Sequence, residues 1–419
     1  MRYVYKFILN PDSVTRTKLV EWCSVSKCLY NQALYEVKQS LEKGEGFLFY
    51  NELEKIMKTK TNLDGNINYR LLKAQIAQQN LKQLDKNING YIKAQQSYKK
   101  NPEKFQGVPK LPNWNRGKYR QLIIPNQCCS IKNGRIYFDR NTFVRIPQYD
   151  KYKDLLMNFN QVRINPKRMA EVLECEIVYT INNKISKLNY DRYASIDLGA
   201  DNLATVVTDF MNPLIYSGKQ IKSINQGFNK NLARLKSAIK KSQDKNTSRR
   251  ITKLYERRDK KICDLLHKTS KSIVDTLLNS GVGNLVVGYN EQWKDSIKLG
   301  HKNNQTFVSI PYRKFITYLS YKCEKVGIHF QTNEESYTSK CDSLALEKIE
   351  KHVQYLGKRV RRGLFQSSVG KLLNADINGA INIMRKVVDD SYVSGIVNRG
   401  WLFQPLKLKN LYEIPKLYK

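Results

Sequence analysis

Residues 194–207, Ala-Ser-Ile-Asp-Leu-Gly-Ala-Asp-Asn-Leu-Ala-Thr-Val-Val, constrain this chain more than any other stretch. Two apolar runs flank a short polar turn, which reads as a buried strand, a tight turn and a second strand. Gly199 stands where the backbone must turn sharply, at angles that glycine alone adopts freely. The first strand ends in Asp197, and a carboxylate at the tip of a buried strand is costly without a cationic partner. A second acid, Asp376, opens a predicted helix within Leu373–Ile383. Brought together, the two acids could hold divalent metal for phosphodiester hydrolysis. Taken singly, each reads equally well as a helix cap or a turn acid.

The 419 residues include 73 Lys and Arg against 37 Asp and Glu, a net charge of +36. That excess calls for a polyanionic partner, and nucleic acid is the first candidate. No apolar run approaches the roughly 20 residues of a membrane span. The N-terminus alternates like a strand and lacks a signal-peptide core. The expectation is a cytoplasmic protein of the bacterial cytosol, nucleoid-associated, with no membrane partner. None of the eight cysteines forms a CxxC pair, so neither a zinc ribbon nor a disulfide framework is expected.

In chain order, residues 2–9 read as a strand and 13–100 as helices broken at 44–46 and 64–68. Residues 101–117 form a Pro-containing loop in which Lys104, Lys110 and Arg116 interleave with Phe105 and Trp114, a mixture suited to phosphate contact and base stacking. Short strands follow to about 181, predicting a small β-barrel with the helical block inserted. After the 194–207 hairpin come a strand at 213–217 and two long helices at 222–243 and 247–279. Residues 225–261 hold thirteen Lys or Arg and three acids, a density that favours a polyanion groove, with Lys230, Arg234, Arg249 and Arg250 among its members. Then come a strand at 285–288, a helix at 310–326, a strand at 328–332 ending in Glu334-Glu335, and an irregular basic stretch at 336–372. That stretch carries Lys358, Arg359, Arg361 and Arg362. A helix at 374–386 closes the series. This order predicts an α/β RNase H-like unit, in which the first, fourth and fifth strands lie side by side and their end acids converge.

Ile196–Gly199 with Asn202–Ala204, Tyr337–Cys341 and Asn374–Ile383 resemble the RuvC motifs of TnpB proteins. These are transposon-encoded RNA-guided DNA endonucleases, ancestral to type V CRISPR effectors. Ser223–Lys230, Leu266–Ser270 and Lys104–Pro112 are also similar to that family. The resemblance implies an α/β multidomain protein. It has a wedge β-barrel domain (1–12 and 101–190), a helical recognition insert (13–100) and a RuvC nuclease domain (191–335 and 373–390). A basic insert stands in the zinc-finger position (336–372), followed by a C-terminal tail (391–419). It implies a structured guide RNA and target double-stranded DNA as partners, a monomer in the RNA complex, and cleavage next to a short flanking motif. Asp197 and Asp376 match the first and last catalytic acids, which would hold two Mg²⁺ ions, with Mn²⁺ as a substitute.

Two departures from the family pattern stand out. Gly288 occupies the place of the usual glutamate at the end of the fourth strand. Glu291 lies three residues on, and Glu334 and Glu335 end the neighbouring strand. Successive strand residues point to opposite faces, so one of that pair reaches the site, and Glu335 lies nearest the turn. Glu335 is therefore the expected third metal ligand, with Glu334 the other catalytic candidate. The family's paired CxxC motifs are reduced to Cys341 with His352, too few ligands for structural zinc. The missing glutamate also fits a nuclease-inactive RNA-guided repressor, and the same motifs serve compact type V CRISPR effectors. A transposase proper would require a nucleophile motif that the sequence lacks.

Overall fold

The computed structural model describes residues 2–181, 187–243, 247–290, 309–397 and 400–408. The chain divides into two compact units, residues 1–182 and 183–419.

In the first unit, β1 (Arg2–Ile8) leads into α1 (Ser13–Glu42), α2 (Tyr50–Met57) and α3 (Ala74–Lys100). Asp12 caps α1 by accepting from Thr15 N at 2.8 Å, and the helix buries Leu19, Cys23, Leu29, Ala33 and Val37 along one stripe. Strands β2 (Leu122–Pro125), β3 (Ser130–Lys132), β4 (Arg135–Tyr137) and β5 (Phe143–Arg145) follow. The unit closes with α4 (Tyr149–Leu156), β6 (Phe159–Lys167) and β7 (Val172–Thr180). The expected barrel is not closed. Four strands form an antiparallel sheet in the order β1-β7-β6-β2, and β3-β4-β5 form a separate sheet. β1 spends its full length on β7, from Arg2↔Thr180 to Ile8↔Glu174, while the four-residue β2 pairs with β6 alone. With β1 and β2 at opposite edges, the described residues contain no strand pairing that joins the ends.

The second unit is built on a six-stranded mixed sheet. Its first strands are β8 (Asn189–Asp197), β9 (Asn202–Thr208) and β10 (Leu214–Ser217), followed by α5 (Lys219–Gln243), α6 (Arg249–Asn279) and β11 (Val282–Gly288). Then come α7 (Tyr312–Val326), β12 (His329–Asn333), β13 (Lys358–Arg361), β14 (Leu364–Gln366), β15 (Leu372–Asn374), α8 (Ala375–Arg385), α9 (Asp390–Val397) and β16 (Leu406–Leu408). The sheet order is β12-β11-β8-β9-β10-β16, so the first, fourth and fifth strands of the unit are neighbours. β8 runs parallel to β11 and β11 parallel to β12, which brings the C-terminal ends of all three to one side.

Period-two alternation sorts β8 between two layers. Ala194 and Ile196 join a core with Ile262, Leu266, Phe315 and Leu319 of α6 and α7. Ser195, one residue out of phase, donates to Ala380 O of α8 at 2.7 Å. Asp197 shares the parity of Ser195 and so lies on the α8 side.

Two readings of the sequence need correction here. The stretch 336–372 is not wholly irregular, since β13-β14-β15 form a small antiparallel sheet within and just beyond it. Gly199 does not adopt a left-handed conformation. Glycine is required there for space, because a Cβ would stand 2.8 Å from Asn202 O across the turn. In the tail, β16 pairs in parallel with β10 and Leu402 is buried. All eight cysteines are free thiols, and no described helix is long and apolar enough to cross a membrane.

Candidate active site and cationic surfaces

Three carboxylates come together where β8, β11 and β12 end. Asp197 is the last residue of β8, Glu335 lies two residues past β12, and Asp376 sits in the first turn of α8, behind an Asn374 cap that accepts from Asp376 N at 2.9 Å. Two glycines make room for them. A Cβ on Gly379 would lie 3.0 Å from Asp197 Oδ2. A Cβ on Gly288 would lie 2.3 Å from Ile383 Cδ1 and 3.1 Å from Glu335 Oε2. Gly288, where a glutamate was expected, is thus roofed by Ile383 and by the carboxylate of Glu335.

The electrostatics follow from this crowding. Asp197 keeps an opening to solvent, yet its surroundings hold its carboxyl well above the ordinary range. Burial is the main cause, and Asp376 and Glu335 add repulsion. Glu335 is raised from 4.5 to about 7, chiefly by burial and then by Glu334. Asp376 accepts from Asn202 Nδ2 at 2.6 Å. Glu334 turns away: it accepts from Ser336 N at 3.1 Å and from Lys386 Nζ at 3.2 Å. Glu291 lies outside the described residues.

The raised Glu335 sets a pH dependence. Between about 4.5 and about 7 the folded protein holds a proton that the unfolded chain has released, so stability falls as pH rises through that window. The metal-free protein is expected to melt a few degrees lower at about pH 7.5 than at about pH 5, and Glu335→Gln to flatten that slope. Melting curves of both proteins across the window check it.

The basic residues separate into groups. Arg359 on β13 approaches Asp376 Oδ1 to 4.0 Å, and Arg362, in the turn that follows, pairs with Asp201, which Lys222 also contacts. Lys358 and Arg361 are exposed with no ion-pair partner among the described residues, as are Lys110 in the first unit and Lys230 on α5. Arg234 and Arg250 line a cleft between α5 and α6. Arg249 is exposed beside it. The first unit also holds a polar cavity of about 450 Å³ lined by Gln83, Asn115, Tyr119, Arg120, Gln121 and Asn165 among others. Arg120 lies 3.5 Å over the ring of Tyr30.

Sequence reasoning assigned no role to the residues that hold this region in shape. Asn382 of α8 donates to Thr338 O at 2.9 Å and Cys341 O at 2.7 Å, and Asn378 donates to Cys341 O at 2.9 Å. Thr338 in turn donates from its hydroxyl to Glu335 O at 2.8 Å. Asp342, fully buried, accepts from Leu344 N, Ser367 Oγ, Ser368 N and Ser368 Oγ at 2.7–3.1 Å. Cys341 contacts Glu350 O at 3.6 Å, and His352 Nε2 lies 2.8 Å from Lys348 O. Asn at positions four apart in the motif helix was the available signal, since the pair lies on one face.

Comparison with known proteins agrees with this layout. The family model OrfB_IS605, described as a probable transposase, matches residues 176–294, and the Cas12f1-like TNB domain matches residues 312–383. A TnpB-like protein, ORF457 of Acidianus two-tailed virus, is 24% identical over 214 residues, covering 49% of this chain and 44% of that protein. On these matches the chain is similar to TnpB proteins. It spans under half the length of that curated relative. Its fold is similar to the Cas12f1–sgRNA–target DNA complex, with a TM-score of 0.56 at 15% identity over 89% of this chain and 82% of the other. It is also similar to the mini-RNA-guided endonuclease CRISPR-Cas phi3, with a TM-score of 0.54 at 11% identity over 95% and 93%.

Proposed function

We propose that this chain is a metal-dependent, RNA-guided DNA endonuclease with a RuvC-type site formed by Asp197, Glu335 and Asp376. The observation that carries the reading is the convergence of two carboxylates at the ends of β8 and β12 with a third from the first turn of α8, with glycines at 288 and 379 that leave them room. The donor set is all oxygen, as hard divalent cations require. Among the described residues, no three acidic, His or Cys side chains stand close enough to hold an ion as they are placed. The fit rests on charge: the Asp197 carboxyl is held well above the ordinary range by burial and then by repulsion from Asp376 and Glu335, and a dication between them would relieve that repulsion. Bound Mg²⁺, or Mn²⁺ in its place, would supply an activated water and stabilise the leaving oxygen.

The chain's own residues orient the reaction. Asn202 fixes the Asp376 carboxylate, and Thr338 fixes the backbone that carries Glu335. Guide RNA and target DNA are the partners that the +36 charge serves. In the first unit, α1–α3 act as the recognition element and the β1-β7-β6-β2 sheet as its platform. The amide-lined cavity reads base edges of a flanking motif, because amides pair donor and acceptor with a base.

The test is cleavage of guide-matched duplex by protein purified with its RNA, in Mg²⁺, beside Asp197→Ala. Cutting that vanishes in the variant is the expected result. Matched binding with no cutting by either protein would replace the nuclease reading with a guided repressor.

A further inference from the structure

The cleft between α5 and α6 has a composition that ordinary helix packing does not explain. Positions 234, 235 and 238 of α5 face 250, 253, 254 and 257 of α6 across about 690 Å³. These positions recur at threes and fours, the spacing of a seam between paired helices, where apolar side chains normally interdigitate. Here Leu235 and Leu254 supply most of the apolar floor, and four seam positions are cations: Arg234, Arg250, Lys253 and Arg257.

None of the four has a hydrogen-bond or ion-pair partner among the described residues. Several other cations of α6 are engaged. Arg258 holds Asn225 Oδ1 at 2.7 Å and Ser309 O at 2.8 Å. Lys268 and Lys271 pair with Asp264 and Asp275 one turn away. Among the described residues, no acidic side chain lines the cleft. Four unpaired cations thus face one another across the cleft, where an anion between them lowers their mutual repulsion.

We infer that this cleft is a binding site for the phosphates of a single nucleic-acid strand. The inference rests on the reading of nucleic acid as the partner and adds its strandedness. Arg250 to Arg257 covers about 10 Å at 1.5 Å per residue, room for two or so consecutive phosphates. Helices packed at about 8–10 Å between axes leave no gap for a duplex, whose major groove alone is about 12 Å wide. The apolar floor suits the sugar edge or a base face of an unpaired strand. An unpaired stretch of RNA and an unpaired DNA strand share this chemistry.

The test measures binding of fluorescein-labelled 12-nucleotide RNA and DNA strands of one sequence, and of their duplexes, over a salt series in EDTA. It uses the full chain, a Lys253→Ala/Arg257→Ala variant, and Lys271→Ala as a control whose charge is already paired. Circular dichroism checks that each is folded. Losing two phosphate contacts is expected to lower the salt slope for single strands by about 1.4, at roughly 0.7 per contact, with duplex slopes unchanged. Loss for RNA alone identifies the guide as occupant, loss for DNA alone a target strand, and loss for both a shared site. An unchanged single-strand slope, or equal losses for strands and duplexes, overturns the inference. Because the assay needs neither metal nor cutting, its outcome is independent of whether the nuclease reading stands.

Discussion

Glu335→Gln is expected to reduce single-turnover cleavage by about a thousandfold, roughly 4 kcal/mol of barrier, whereas Glu334→Ala stays close to the unaltered protein. The two acids are adjacent in sequence and chemically identical, so the prediction is one of geometry. Glu334 is exposed and engaged by Ser336 and Lys386. Glu335 reaches over Gly288, with Oε2 3.1 Å from where a Cβ would stand there, and its charge adds to the burial that raises the Asp197 carboxyl. Replacement by glutamine keeps the shape and removes the charge, so a loss cannot be ascribed to packing. The variant should also need more Mg²⁺ to reach its own maximum, because one anionic ligand is gone. Single-turnover rates across a Mg²⁺ titration decide it. Cutting by Glu335→Gln within threefold of the unaltered protein would remove Glu335 from the site and return the question to Glu291.

Asp197 and Asp376 were legible because each sits in a local pattern with a physical meaning: an apolar strand ending in an acid, and an acid in the first turn of a capped helix. Sheet order was legible for the same reason, since alternating elements leave few ways to pair parallel strands. The open sheet of the first unit was not, because a list of short strands does not say which edges remain unpaired. Arg359 and Arg362 read as free cations in a basic run, yet the β13–β14 turn brings one to Asp376 and the other to Asp201. Gly288 read as a loss. In the structure it is a place where a side chain would collide with Ile383, and that depends on a residue almost a hundred positions away.

The residues that reasoning from sequence passed over share one property: their partners are distant and mostly backbone. Asp376 and Glu335 are linked through a single helix. α8 carries Asp376 in its first turn, and two turns later Asn382 holds Thr338 O, whose residue holds Glu335 O. A shift of α8 therefore moves both acids together. The same helix holds the 341–343 loop through Asn378, which accepts from Ser343 N at 3.0 Å.

Asp342→Ala is expected to be the most destabilising single substitution in this region, at about 3–5 kcal/mol. Asp342 is fully buried and, among the described residues, has no ion-pair partner; hydrogen bonds alone satisfy it. Its donors come from the adjoining turn, Leu344 N and Ala345 N, and from twenty-five residues on, Ser367 and Ser368. Alanine would leave several of these buried, each costing about 1–3 kcal/mol if unsatisfied, less whatever water recovers. Glu347 reinforces the clasp by accepting from Asp342 N at 2.7 Å and Leu356 N at 2.9 Å. The carboxylates thus tie loop 341–356 to the β14–β15 turn from within. Because the clasp adjoins the turn that Asn382 fixes, its loss should loosen the backbone behind Glu335 before the sheet melts. Amide hydrogen exchange should accelerate first at 343–346 and 367–369, with α6 and β8 protected as before. Treating the unaltered protein with a zinc chelator should leave that exchange pattern unchanged. Acceleration on chelation, or no acceleration in Asp342→Ala, would mean that something other than this carboxylate holds the segment together.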